Sequence, residues 1–448
     1  MDNVRAMCAE TLNCLAGLSL FGGIRSSPII KALERLMSLI EGAQAAPRQF
    51  IEGWAAFLNV FAQHNKNRTF FMYLTDLIIS DENIFTLNAE RGEFNNVSLL
   101  AEIARNDLKR LAVIGDFDIP MAALHITDEL WQAGFEDLAR VIENSVRTIG
   151  ELKAKNYTLP QKTFPYGLLN TQDLTELCAH IKKHGAGSLA QHHFFYWKQG
   201  EGLVPAYNPD PVRLAGLSGY EDQRNTVIEN TARFLAGNGA NNVLLYGDRG
   251  TGKSATVKAV CNEYKNQGIR LVEVRKQDLS EIPVILSTLA QRGLFFVLFI
   301  DDLSFEHQND DFTLLKALLE GGIEAKPHNV VVYATSNRRH FVREQFSDRP
   351  GITAASDDVR AFDTMQEQLS LADRFGITLV FSAPSQDEFI RIAEFLAEER
   401  QLFTGSGVDR QKFRENAIRW ERWFNGRSPR TAQQYVEWAA GGEGFPWE

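Results

Sequence analysis

Gly247-Asp248-Arg249-Gly250-Thr251-Gly252-Lys253-Ser254 fills every fixed position of the pattern G-x-x-x-x-G-K-[ST]. Such a stretch can hold phosphate. Its glycines let backbone N–H groups close around phosphate oxygens, and a helix starting at Lys253 adds the positive end of its dipole. Lys253 supplies a cation for the terminal phosphates, and the Ser254 hydroxyl can take a place on Mg2+. Gly247, Asp248, Arg249, Gly250, Thr251, Gly252, Lys253, Ser254 and Ala255 are therefore the candidate nucleotide-binding residues.

Four further sites carry polar groups suited to the same chemistry. Leu294–Ile300 is an apolar run that ends in Asp301-Asp302. The first carboxylate can hold Mg2+ with Ser254, and the second can orient or deprotonate a water. Glu306 is a second candidate base, or a solvated acid at a helix start. Val330–Thr335 leads to Asn337, whose amide offers donors and an acceptor together. Arg374, beside Asp373, sits between strands and away from its own glycine loop. It can reach a neighbouring copy's nucleotide, or it forms a surface pair with Asp373. In Gly426-Arg427-Ser428-Pro429-Arg430, Ser428 is a cap and Pro429 opens a helix. Arg430 can face the phosphates, with Arg427 as its rival.

These groups need elements to carry them. The expected strands are Asn242–Tyr246, Arg270–Val274, Leu294–Ile300, Val330–Thr335 and Ile377–Phe381, with helical stretches between them. Alternation of this kind predicts a parallel sheet covered on both faces, with ligands at the strands' carboxyl ends. A helix from Asp222 to Leu235 precedes the loop, and helical patterns return over Asp387–Glu399, Arg410–Phe424 and Pro429–Ala440. Residues 1–155 show apolar spacing of the helical period, as in Ile29, Ile30, Leu33, Leu36, Met37 and Ile40, and read as an all-helical domain. Residues 156–212 are punctuated by Pro and Gly and read as a connecting segment. Within it, His192-His193-Phe194-Phe195-Tyr196-Trp197 reads as a packed edge strand or a contact patch. Adjacent histidines point to opposite faces of a strand and make a poor metal pair.

In kind and order, these five sites resemble the AAA+ ATPases: Walker A, Walker B, sensor 1 (Asn337), arginine finger (Arg374) and sensor 2 (Arg430). The resemblance covers about residues 213–440 and is similar to a bacterial branch of predicted AAA+ ATPases. It implies a P-loop core over 213–383 and a helical lid over 384–448. It implies ATP and Mg2+ as cofactors and a ring or open homo-oligomer, hexamer-like, that Arg374 completes. Leu217 to Tyr220, with Gly219 and Tyr220 as the site residues, would border the adenine. Asp302 replaces the Glu that many relatives carry, and a long stretch, 338–369, precedes the finger. An ABC signature would lie between the two Walker motifs, not before the loop, and no guanine-specific N-K-x-D follows.

The expected function is Mg2+-dependent ATP hydrolysis coupled to oligomer assembly or to remodelling of a protein or DNA partner. The alternative is a nucleotide-gated switch that binds DNA or protein and hydrolyses slowly or not at all. Threading machines place an aromatic–apolar–glycine loop after the second core strand; here that place reads Arg275–Pro283 without either aromatic or glycine. Arg338, Arg339, Arg343 and Arg349 can touch phosphates or form a solvated loop.

Composition bounds the rest. In 448 residues, 44% are hydrophobic and 23% charged, which fits two or three globular domains. The net charge of −10 leaves neither half basic and disfavours a large non-specific DNA surface. Cys8, Cys14, Cys178 and Cys261 form no C-x-x-C pair and fit reduced thiols. The early apolar run, Cys14–Ile24, is broken by glycines and is too short to span a membrane, and Asp2 and Glu10 spoil a signal-peptide start. The expectation is a cytoplasmic protein with no membrane span.

Overall fold

The computed structural model describes residues 2–42, 46–64, 69–156, 165, 167–303, 326–337, 374–405, 408–424 and 426–441. The chain divides into two compact units, 1–191 and 192–448.

The first unit is all-helical among its described residues. Its helices are α1 (Asp2–Ala16), α2 (Pro28–Glu41), α3 (Pro47–His64), α4 (Phe70–Ile79), α5 (Ile84–Arg91), α6 (Leu99–Gly115), α7 (Ile119–Gln132), α8 (Glu136–Asn156), α9 (Leu168–Thr171), α10 (Leu174–His184) and α11 (Ser188–Gln191). The spacing read from the sequence becomes packing: Ile29, Ile30, Leu33, Leu36, Met37 and Ile40 line one buried stripe of α2. A buried acid fixes the link between α1 and α2. Asp107, fully buried on α6, accepts from the backbone N–H of Ser19 at 2.9 Å, Leu20 at 2.7 Å and Phe21 at 3.2 Å. It thereby caps the short 3-10 turn Phe21–Ser26. Arg110 supplies the opposite charge at 3.3 Å.

The second unit is built on a seven-stranded sheet. The strands are β1 (Phe194–Lys198), β2 (Gly202–Pro205), β3 (Val243–Gly247), β4 (Ile269–Glu273), β5 (Phe295–Ile300), β6 (Val330–Ser336) and β7 (Ile377–Phe381). Their order is β2-β1-β4-β5-β6-β3-β7. Among the described residues, β1 and β2 pair antiparallel and the other pairs are parallel. β3 and β6 are buried at every position, as strands covered on both faces must be. Helices α12 (Glu221–Leu235), α13 (Lys253–Tyr264) and α14 (Ile282–Ala290) belong to the same unit. After β7, three longer helices, Gln386–Glu399, Arg410–Trp423 and Pro429–Ala440, pack around Phe389, Phe413, Trp420 and Tyr435 as a small lid with its own core. Ser385 starts the first of them with a reciprocal capping box to Glu388. The expected α/β P-loop core, helical lid and preceding all-α domain are the fold of this chain.

Residues 156–212 differ from the connector read in the sequence. α10 buries Leu174, Leu177 and Ile181 in the first unit, whereas β1 and β2 belong to the second. β1 is also not an edge strand. Gly200 and Gly202, with φ of +79° each, turn the chain back so that β2 covers its free side.

Asp107→Ala should lower the stability of the first unit by about 3 kcal/mol, because three N–H groups lose a charged acceptor. Urea unfolding, with hydrogen exchange over 19–26, measures this. Unchanged exchange there would show that the turn holds without the carboxylate.

Candidate functional site

The strand-to-helix turn after β3 is shaped by glycine geometry. Gly247 has φ of +134°, and a Cβ there would lie 2.2 Å from the Phe381 carbonyl oxygen of β7. Gly250 and Gly252 have φ of +77° and +90°, the left-handed region that favours glycine. The chain then enters α13 at Lys253, with Gly252 as its N-cap. The Asp248 N–H donates to Phe381 O at 2.9 Å, and the Asp248 carboxylate accepts from Ala383 N–H at 2.7 Å.

Lys253 is buried beneath this loop. Its ammonium donates to Gly247 O at 3.2 Å and Asp248 O at 2.6 Å. Burial pulls its pKa down to about 8; the carboxylates of Asp248, Asp301 and Asp302 oppose that shift and Arg430 adds to it.

β5 and β6 deliver the acidic corner. The Ser254 hydroxyl donates to Asp301 Oδ1 at 2.6 Å, and the Thr335 hydroxyl donates to the same oxygen at 2.6 Å. Thr335 Oγ1 in turn accepts from the Asp302 N–H at 2.9 Å. Asn337 Nδ2 donates to Asp302 Oδ1 at 2.6 Å. Asp302 has φ of +53°, a conformation that Asp tolerates better than most residues. From the lid, the Arg430 N–H donates to Gly250 O at 3.2 Å.

A cleft of about 410 Å3 lies over these groups, within the range of small-molecule sites. Its lining brings together Gly250, Thr251, Gly252, Lys253, Ser254, Ala255, Asp301, Asp302, Asn337 and Arg430, together with Tyr220. Gly247, Asp248 and Arg249 are not part of that lining; the first two pin the loop to the end of β7, and Arg249 is exposed. Gly219 lines a neighbouring hollow instead, against Ile392 of the lid. Tyr220, at φ +60°, stacks on Phe381 at 4.9 Å and donates to Ser382 O at 2.5 Å. Arg374 sits in the turn before β7, at the opposite end of that strand from the glycine loop, and does not line the cleft. Of the two lid arginines, Arg430 lines the cleft and Arg427 does not. Arg427 instead lies 3.9 Å from Glu421. Glu306, Arg338, Arg339, Arg343, Arg349 and Asp373 lie outside the described residues. Thr335 is the site residue that sequence reading missed: a threonine at a strand end carries no special pattern.

The donor set suits hard cations and polyphosphate. A hydroxyl and a carboxylate 2.6 Å apart are oxygen ligands of the kind Mg2+ takes, and backbone amides and a lysine face the same space.

Residues 190–443 match the family described as "Protein of unknown function (DUF815)". The chain belongs to that family. Its matched span begins two residues before the boundary of the second unit, so the family is defined by the P-loop core and the lid. No curated protein matches the chain. Among solved structures it is similar to the Thermotoga maritima RuvB Holliday junction branch migration motor. That match has 19% identity over 51% of this chain and 63% of that one, with a TM-score of 0.33. It is also similar to C. elegans PCH-2, with 16% identity over 49% and 63% and a TM-score of 0.33. The chain thus covers less than two thirds of the structures it matches. The strand order, glycine loop, acidic strand end and lid described above give the second unit of this chain the P-loop fold with a helical lid that the AAA+ resemblance implies.

Gly247→Ala should destabilise the second unit by about 2–4 kcal/mol, since the methyl meets backbone at 2.2 Å in a left-handed φ. Gly252→Ala meets no atom within 4 Å and should cost only about 1–2 kcal/mol of backbone strain. Thermal unfolding of the two variants checks the order; equal losses would remove the steric account.

Proposed function

We propose that the second unit binds ATP with Mg2+ between the glycine loop and the lid and hydrolyses it to ADP and phosphate. Nucleotide state is then coupled to oligomer assembly or to remodelling of a protein or DNA partner. The observation that carries this reading is the Ser254–Asp301 contact at 2.6 Å beside amides of a complete phosphate-loop sequence.

Each residue has a distinct task. The amides from Gly250 to Ala255 grip the phosphates, and Lys253 turns from its own loop carbonyls to the terminal ones. Ser254 and Asp301 hold Mg2+, which when bound neutralises charge on the triphosphate. Asp302 orients water, and Asn337 fixes the Asp302 carboxylate and reaches toward the same water. Arg430 offsets charge from the lid side. Arg374, remote from its own cleft, completes the site of a neighbouring copy in a ring or open assembly. Such an arginine contributes about 10³–10⁵ in rate. Tyr220 borders the base.

A second reading has its own support. Asp302 is one methylene shorter than Glu and is tied down by Asn337 in a left-handed conformation. The segment after β4 is a short 3-10 turn, Lys276–Glu281, without an aromatic. Both favour a nucleotide-gated switch with slow turnover over a threading motor. Co-purification with an Asp302→Asn trap and a DNA titration over a salt series identify the partner; the absence of any salt-dependent DNA binding excludes the DNA version.

Lys253→Ala should abolish nucleotide binding, while Arg374→Ala should keep it and lose turnover by about a thousandfold or more. Titration with a fluorescent ATP analogue and phosphate release measure the two. Normal turnover in the arginine variant would make Arg374 a surface residue.

The lysine also sets a pH dependence. Its pKa near 8 means that the cation fraction falls from pH 7 to pH 9. Affinity for the triphosphate should drop about tenfold over that interval, following the protonated fraction. Lys253→Arg keeps its charge throughout and should flatten the profile. A flat profile in the native protein would contradict the lowered pKa.

A further inference from the structure

Two adjacent carboxylates cannot both face a cleft from a regular strand, because successive side chains point to opposite faces. Asp301 and Asp302 nevertheless both line this one. The exception is made at Asp302, whose φ of +53° breaks the alternation at the end of β5. One residue of the neighbouring strand contacts all three positions of that corner. The Thr335 hydroxyl donates to Asp301 Oδ1 at 2.6 Å and accepts from Asp302 N–H at 2.9 Å, and the Thr335 carbonyl accepts from Leu303 N–H at 2.7 Å. Thr335 is 2% exposed, so its hydroxyl has no competing bulk water. A hydroxyl has one proton, and here it is committed to Asp301, which leaves the oxygen to receive Asp302. The next residue closes the arrangement: Ser336 Oγ donates to Leu303 O at 2.8 Å.

We infer that Thr335 is a positioning residue that turns the two acids to the same side and holds them in register. Ser254 and Thr335 converge on one oxygen of Asp301, so the threonine fixes the carboxylate that the phosphate-loop serine meets. Through Asp302 N–H it fixes the backbone of the water-orienting acid. Metal affinity and water positioning are thereby linked through one buried hydroxyl. This rests on the proposed function, since the tasks of the two acids come from it.

Thr335→Val keeps shape and the carbonyl contact to Leu303 but removes both hydroxyl bonds. It should lower kcat about 10–100-fold with the KM for ATP changed less than about twofold, and raise the Mg2+ concentration for half-saturation about tenfold. Thr335→Ser restores the hydroxyl and should return both quantities to within about threefold of native. A readout independent of turnover is the Mg2+ dependence of fluorescent ATP-analogue binding, joined by a nucleotide-free crystal structure in which Asp302 of the valine variant moves to negative φ. If the valine variant does not fold, Thr335→Ala carries the same comparison. Native kcat and native Mg2+ dependence in the valine or alanine variant overturn the inference. So does equal impairment of valine and serine variants, which would assign the effect to methyl packing. If the native protein itself shows no Mg2+-dependent nucleotide binding, the proposed function falls and this role with it. Native turnover beside an unaffected valine variant removes Thr335 alone.

Discussion

A buried ammonium must find oxygen, and Lys253 finds it in the carbonyls of Gly247 and Asp248, within its own loop. An uncompensated buried cation costs several kcal/mol, so the loop has to curl around it. That curl needs left-handed backbone at Gly250 and Gly252 and a strand end that packs directly on β7. The glycines, the burial of β3 and the placement of α13 all serve that one geometry. An arriving triphosphate would offer the ammonium stronger acceptors than the carbonyls it leaves, and the loop would already have the required curvature.

The same loop is the junction of core and lid. Gly250 O accepts from Arg430 N–H, and the Asp248 carboxylate accepts from Ala383 N–H, in the segment that leads from β7 into the lid. Tyr220 adds a third tie, to Ser382 O. The first two contacts join positions far apart in the chain to two residues of the loop, and the third joins the start of α12 to the entry of the lid. Whatever displaces Asp248 or Gly250 therefore acts on both ends of the lid, at its entry near residue 383 and at its last helix.

Much of this was legible in the sequence, for physical reasons. β3, β5 and β6 are uninterrupted apolar runs because a parallel sheet buries both faces, and the helical period of the first unit is the period of its core. The loop declares itself because its backbone torsions demand glycine at fixed spacing. Other features depend on partners that no local pattern reveals. β1 and β2 are short, and only pairing with β4 shows that they extend the sheet. α10 stands among Pro and Gly punctuation that masks its buried stripe of Leu174, Leu177 and Ile181. Thr335 acquires meaning only from the register of β6 against β5, and the torsion of Asp302 only from the turn that follows β5. Gly219, expected beside the base, lies close to the lid's Ile392, an approach that only the folded chain reveals.

The hairpin at the start of the second unit bears on how this protein can be dissected. Phe194, Phe195 and Trp197 of β1 are buried, and β1 shields the flank of β4. Trimming the polypeptide at residue 213, where the nucleotide-binding sequence pattern begins, would strip both strands. The row of main-chain amides and carbonyls on β4 would then stand open, a ready template for sticking to other chains. A fragment beginning near 190 keeps that border sealed and should stay dispersed at concentrations where the shorter one precipitates.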